Sequence, residues 1–452
     1  MKKSILILAL MSTVCLFAQT TVDFALDFAD GWEPWIGQTV TFSNDFYVYN
    51  TTSRKVAYTR LRSPEEYGEE ETALYEEAES HNAWASCTLS GVTFKSGYRP
   101  GTIVRGLQAT VTAANKLQAV NTPTIIYNDF PTERPDLGNA NVVVCAANIQ
   151  NFFVTLGGYA GAENASQLET QKTKISTALH HMDADIYALC EVEEGPLAAT
   201  ELVRLLNELA GEDLFDWINA GFNTYDAIMV CYIYRKDKLR AIGRYIMPYA
   251  YSAMHYRMAI QSFEHIDSGE RFYLSLNHFY AKSGKNDADR VENMRYLMNQ
   301  LPAIMASDPD VLVVGDMNAY TNEESNTILC QEKNFVDLLM RDDPEGYSYV
   351  YNNLVGYLDH AYCSPSMAPM VTKAVSYHLN ADTNYRYAYT YGDTSMYRYA
   401  DHDPILIGLQ CGPMAVTVPL SGEEMGVQKE IRHGQLIIVR SGVEYTITGQ
   451  RL

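Results

Sequence analysis

Positive charge is scarce in this chain. Its 452 residues hold 34 Lys and Arg against 55 Asp and Glu, a formal net charge of −21. That excludes a general polyanion binder, because nonspecific affinity for nucleic acid comes from neutralising phosphates with Lys and Arg. A nucleic-acid substrate would need divalent cations and a local basic patch to overcome the global repulsion. Cysteine spacing of the metal-binding kind is also missing: the eight cysteines form no Cys-x-x-Cys pair and no Cys/His array. Cys145, Cys190, Cys231 and Cys363 lie in apolar runs, where cysteine acts as a small core residue. Apolar stretches of membrane-spanning length are lacking too. The nearest, Ile5 to Phe17, follows Lys2 and Lys3 and ends at Ala18, the layout of a secretory signal over residues 1–18. The expectation is an exported protein, extracellular, periplasmic or at the cell surface, with no stable membrane association. Hydrophobic content, at 47% with 33 tyrosines, is ample for packed cores.

The chain reads as two domains and a tail. Residues 19–120 alternate in the manner of short strands, as in GQTVTFSNDFYVYNT, and predict a small β domain, barrel-like, with the oligonucleotide/oligosaccharide-binding type as the candidate topology. An acidic stretch at 65–79 reads as a solvated loop. Residues 121–140, with three prolines in 123–140, read as a linker. From 141 to 411 strands alternate with helices, predicting an α/β fold of two packed sheets with helices outside. Ser166 with Glu169 predicts a capping box, and Leu168, Lys172, Ile175, Leu179 and Met182 a helical stripe. Residues 412–452 form a tail with two strand-like runs, IIVR and YTIT. They are similar to the C-terminal β-hairpins of proteins handled by the type IX secretion route.

Four polar signatures end apolar runs that read as buried strands: NIQNFF (148–153), LCEVE (189–193), VVGDMNA (313–319) and ADHDP (400–404). Side chains at strand ends, distant in sequence, converge on one edge of a sheet. The set delivered is Asn148, Glu191, Asp316, Asn318, Asp401 and His402. Hard oxygens plus an imidazole suit Mg²⁺ and a phosphate ester, and suit zinc or a thiol mechanism poorly.

With these motifs, residues 141–411 resemble the endonuclease/exonuclease/phosphatase superfamily of deoxyribonuclease-I-like fold, and within it the bacterial extracellular nuclease branch. DIYALCEVEE, LSLNHFYAKSG, GDMNA, YSYVYNNLVGYLDHAYCSPSM, HLNAD and ADHDPILIGL carry the resemblance. Cys190 departs from it, since Gln or Met usually precedes the Glu, and so does Tyr280, where the branch more often has Lys. The resemblance implies metal ligation at Asn148, Glu191 and Asp401, with Mg²⁺ the first candidate and Mn²⁺ or Ca²⁺ the alternatives. It implies that Asp316 orients or deprotonates the attacking water and that Asn318 holds the phosphate or that water. His402 would contact a phosphoryl oxygen or act as base, oriented by Asp359, and His278 would supply a second imidazole. Glu193 and Glu194 read as solvated.

Candidate substrate contacts are Lys282, Lys285 and Arg290, which follow the Asn-His-Phe motif, and Arg386 and Arg398 in the tyrosine-rich stretch 385–399. That stretch either stacks bases or is a rigid surface loop. The leading expectation is a monomeric secreted Mg²⁺-dependent nuclease acting on DNA, with RNA as the other polymer. The rival is a hydrolase of a non-nucleic-acid phosphate, such as a sphingomyelinase or inositol-phosphate phosphatase. A non-catalytic binding protein on the same fold is the third reading, and the presence of Glu191, Asp316 and His402 speaks against it.

Overall fold

The computed structural model describes residues 20–63, 86–158, 160–218, 227–246, 257–283, 287–384, 393–412, 427–432, 435–440 and 443–446. The expected signal at 1–18, the acidic stretch at 65–79, Lys285, Arg386 and much of the tyrosine run lie outside them. The chain divides into two compact units, one of residues 1–61 and 77–129, the other of 62–76 and 130–452.

The first unit is β-rich. Its described strands are β1 (Thr20–Val22), β2 (Thr39–Phe42), β3 (Phe46–Asn50), β4 (Lys55–Ala57), β5 (Ser86–Ser90), β6 (Ile103–Arg105), β7 (Gln108–Ala113), β8 (Lys116–Ala119) and β9 (Thr124–Ile126), accompanied by a short helix, α1 (Phe24–Asp27). They pair in the order β1-β2-β7-β8-β5-β4-β3-β6-β9. Nine strands exceed the five of an oligonucleotide/oligosaccharide-binding barrel. Strand β9 also falls inside the segment read as linker, because its Thr-Ile-Ile, between prolines, pairs with β6. Phe24, Phe28, Trp32, Phe42 and Phe46 fill the core, with Phe24 and Phe28 stacked at 4.8 Å.

The second unit begins with β10 (Val142–Phe152), α2 (Ala165–Met182), β11 (Ile186–Glu193), α3 (Pro196–Ala210), β12 (Phe215–Trp217) and β13 (Ile228–Arg235). There follow β14 (Leu239–Ile246), β15 (Arg257–His265), β16 (Arg271–His278), α4 (Asp287–Met305), β17 (Val311–Asp316), α5 (Glu324–Lys333), β18 (Val336–Asp337) and α6 (Leu338–Asp342). A hairpin, β19 (Tyr349–Tyr351) and β20 (Leu354–Gly356), precedes β21 (Asp359–Cys363), β22 (Val371–Ser376) and β23 (Ile405–Leu409). One six-stranded sheet runs β12-β13-β11-β10-β23-β22 and the other β14-β15-β16-β17-β21-β18.

Strand alternation makes the sandwich. In β10, Val142, Val144 and Ala146 join Leu274, Leu276, Leu312 and Val314 of the other sheet in one core. Val143, Cys145 and Ala147 face Ile175, Leu179 and Leu202 of α2 and α3. On the outer side of the second sheet, Val311 and Val313 meet Met294, Leu297 and Leu301 of α4 and Ile328 and Leu329 of α5. Strands buried on both faces read as continuous apolar runs, as VVVCA and VLVVG do.

Local details depart from the sequence reading. Helix α2 starts two residues early: Asn164, not Ser166, is its cap, accepting from the Gln167 N–H at 3.0 Å. Its buried cation is Lys174, with Nζ 2.9 Å from Asp393, while Lys172 pairs with Glu169 and Glu201 nearer the surface. Glu193 is engaged rather than solvated: its Oε2 accepts from the Val154 N–H at 2.8 Å. The tail has three antiparallel strands, β24 (Val427–Arg432), β25 (Gln435–Arg440) and β26 (Val443–Thr446), one more than the sequence showed, because charged Val-Gln-Lys-Glu-Ile-Arg masks the first.

Candidate active site

Register places the site. In the second sheet His278 of β16 lies opposite Asp316 of β17, and Asp316 lies opposite Asp359 of β21, so three side chains from distant segments form one row. In the first sheet Asn148 of β10 pairs with Cys190 of β11, and pairing resumes only at Phe152 and Val192. The break coincides with left-handed backbone at Gln150 (φ 52°), Asn151 (51°) and Glu191 (63°). A left-handed non-glycine residue costs energy and re-aims its side chain. Here that irregularity turns Glu191 out of strict alternation at the strand end.

The carboxylates and imidazoles then meet in two groups that share Asp316: Glu191, His278 and Asp316, and Asp316, Asp359 and His402, with ligand atoms of each group within 4.8 Å of one another. His278 Nε2 stands 3.7 Å from Asp316 Oδ2 and 3.9 Å from Glu191 Oε1. His402 Nδ1 is 2.7 Å from Asp359 Oδ2, and its Nε2 faces Asp316 Oδ2 at 3.9 Å. The Asn318 N–H donates to Asp316 Oδ1 at 2.8 Å, fixing that carboxylate. Asp316 and Asp359 are each 1% exposed.

Burial governs the electrostatics. It pushes the Asp316 carboxyl up to about 7, helped by the Asp359 charge and opposed by His402 and by hydrogen bonds from Asn148 and Asn318. Glu191 is raised by burial too, with the Asn148 hydrogen bond opposing and the Asp401 charge assisting. For His402 burial disfavours charge, but Asp359, Asp316 and Asp401 outweigh it and hold the imidazolium well above the ordinary histidine value. His278 moves the other way, driven well below by burial and by the Arg257 and His402 charges. The two imidazoles are thus pushed in opposite directions, His402 toward its charged form and His278 toward its neutral one.

Some expected roles change. The Asn148 amide nitrogen, not its oxygen, faces the carboxylates, donating to Glu191 at 2.9 Å and Asp316 at 3.0 Å, while the oxygen accepts from the Gln150 N–H. In this arrangement it bridges the two carboxylates. The Asn318 Nδ2 donates to the Phe279 carbonyl at 3.2 Å, tying together the loops after His278 and Asp316. Lys282 and Arg290 do not form an open basic patch: both pair with Glu323, Arg290 also with Asp287, and Arg290 is 3% exposed. Acidic neighbours in an acidic chain absorb those cations. Arg398 is close to the site, its charge facing Asp401, Asp403 and Tyr349, and its Nη1 donates to the Asn380 carbonyl at 2.9 Å.

Three participants escaped the sequence reading. Arg257 lies opposite His278 in register. Asn380 holds the site loop, its Nδ2 donating to the His402 carbonyl and its Oδ1 accepting from the Tyr399 N–H. Tyr349 packs its ring 4.7 Å from the His402 imidazole. HLNAD contains Asn380 and YSYVYNN contains Tyr349, while no quoted motif contains Arg257.

The sequence profile described as "Endonuclease/Exonuclease/phosphatase family" matches residues 145–402, and the chain belongs to that family of hydrolases. No curated protein matches the chain. Among solved structures it is similar to an endonuclease/exonuclease/phosphatase family protein from Bacteroides thetaiotaomicron, with 16% identity, TM-score 0.44, and 59% of this chain and 97% of the other covered. It is also similar to the Bacteroides thetaiotaomicron mannosyl-6-phosphatase Bt3783, at 16% identity, TM-score 0.43, and 60% and 100% coverage. The human Nocturnin catalytic domain aligns at 15% identity, TM-score 0.42, and 60% and 94% coverage.

Proposed function

We propose that this chain is an exported, divalent-metal-dependent phosphodiesterase whose substrate is nucleic acid, DNA first and RNA second. The observation that carries the reading is the sharing of buried Asp316 by two acid–imidazole groups. The donor set fits a hard cation: Glu191 offers carboxylate oxygens, Asp401 adds charge beside it, and burial raises the Glu191 carboxyl, which a cation would relieve. Mg²⁺ suits these donors, with Mn²⁺ or Ca²⁺ of the same class. Bound there, it would neutralise charge on the phosphate and on the leaving oxygen.

The chain's own groups divide the remaining work. Asp316, poised near neutrality, takes the proton of the attacking water as the P–O bond to that water forms. His402, kept charged by Asp359, donates to a phosphoryl oxygen as negative charge builds there. His278, 3.7 Å from Asp316 and pushed toward its neutral form, offers a hydrogen bond to the leaving oxygen, which departs with the electron pair of its broken P–O bond and takes its proton from water.

A second reading, hydrolysis of a small non-nucleic-acid phosphate ester, is favoured by one observation. Lys282 and Arg290 are compensated by Glu323 rather than free to track a polymer backbone. Purified protein on plasmid and single-stranded DNA, with and without EDTA, beside sphingomyelin and inositol phosphates, tests both. Metal-dependent cleavage of DNA supports the first reading. Turnover of the small esters alone replaces it with the second.

A further inference from the structure

The hairpin β19–β20 is built into the active site. Asn352 and Asn353 close its turn in left-handed conformations (φ 50° and 68°), as a two-residue hairpin loop requires. Ser348, at its base, receives the N–H groups of Leu358 and Asp359 on its Oγ, both at 3.0 Å, and its carbonyl accepts from the Asp403 N–H at 2.7 Å. One serine thus pins the hairpin to the strand bearing Asp359 and to the loop bearing His402.

Tyr349 follows directly, and its ring lies 4.7 Å from His402 at an interplanar angle of 35°. It also feels the charges of Asp401, Asp316 and Arg398, so it stands among the catalytic groups. Two residues on, Tyr351 shares its face of the strand by alternation and is 60% exposed. The pair forms an aromatic line leading outward from His402.

The charge balance makes that line useful. The chain carries a net charge of −21, and Lys282 and Arg290, the described cations that follow the Asn-His-Phe motif, already pair with Glu323. Aromatic stacking supplies affinity without charge, at about 1–3 kcal/mol per base, and tolerates any base sequence. Bases inside a duplex are already stacked and unavailable, whereas bases of single strands or frayed ends are not. We propose that Tyr349 and Tyr351 form a stacking platform that receives unpaired bases next to the scissile phosphate, making single-stranded nucleic acid the preferred substrate. The proposal rests on the nuclease reading above and deepens it.

The test uses full-length protein and two single-stranded oligonucleotides of equal length, one with bases and one carrying abasic residues throughout. The first expected result is that wild type cleaves the base-bearing strand with the higher kcat/KM. Tyr351→Ala should lower that value roughly ten-fold, the loss of one stacked base, leave the abasic strand unchanged, and be rescued by Tyr351→Phe. Tyr351 touches no catalytic group, so hydrolysis of bis(p-nitrophenyl) phosphate reports whether the centre is intact. Equal losses on both strands, or no loss on either, would overturn the stacking platform while leaving the nuclease reading standing. Wild-type protein that hydrolyses the small ester but neither strand would overturn both.

Discussion

His402 Nδ1 lies 2.7 Å from Asp359 Oδ2, and both residues are buried, so this imidazole has its tautomer, orientation and charge set by one carboxylate. The pair joins two segments 43 residues apart. If it acts as a unit, Asp359→Ala and His402→Ala should each lower kcat by ~10²-fold or more, and the double change far less than the product. Steady-state kinetics of the four proteins checks this. Multiplicative losses would show that the two act independently.

Glu191 should centre cation binding. Glu191→Gln keeps its shape and its hydrogen bond from Asn148 but removes the charge, so Mg²⁺ affinity should fall by an order of magnitude or more. Calorimetric titration of Mg²⁺ into wild type and variant reads this without any substrate. Unchanged affinity would move the metal away from Glu191.

Asp316 carries a stability signature. Its carboxyl sits at about 7 when folded against an ordinary 3.8, so between those values the folded state holds the proton more tightly. Its contribution to stability therefore falls as pH rises through that window and stays unfavourable above it. Asp316→Asn should raise the Tm of EDTA-treated protein at pH 8 by roughly 2–4 °C, with the gap closing toward pH 4, while activity collapses. Calorimetry at the two pH values checks it. An equal or lower Tm at pH 8 would remove the buried-charge account.

Glu323 should restrain nucleic-acid affinity. Glu323→Gln releases charge on Lys282 and Arg290, so binding of single-stranded DNA should tighten several-fold at low salt. The log–log salt slope should steepen by about 0.7 if one more phosphate is engaged. Fluorescence anisotropy across a salt series reads both, and an unaltered slope would place those cations away from the substrate.

The site was legible where chemistry sits at a strand end and opaque where it depends on register. Asp316, Glu191 and His402 close apolar runs, so sequence identified them, but only pairing of β16, β17 and β21 shows that His278, Asp316 and Asp359 stand in one row. Tyr349 was hidden among many tyrosines, and its place beside His402 follows from Ser348, whose bonds reach residues 10 to 55 positions away. Lys282 and Arg290 looked like a basic patch because Glu323, which pairs with both, lies on another loop. Lys174 was missed for a related reason: its buried charge is matched by Asp393, 219 residues on.

Metal-dependent hydrolysis of a phosphodiester by the Asp316-centred site is tested most directly by turnover of bis(p-nitrophenyl) phosphate after EDTA dialysis, with Mg²⁺ titrated back, in wild type and Asp316→Asn. The account predicts no turnover in EDTA, recovery with Mg²⁺ in wild type, and a loss of ~10²-fold or more in the variant at saturating Mg²⁺. Undiminished turnover in EDTA, or a variant as active as wild type, would contradict it.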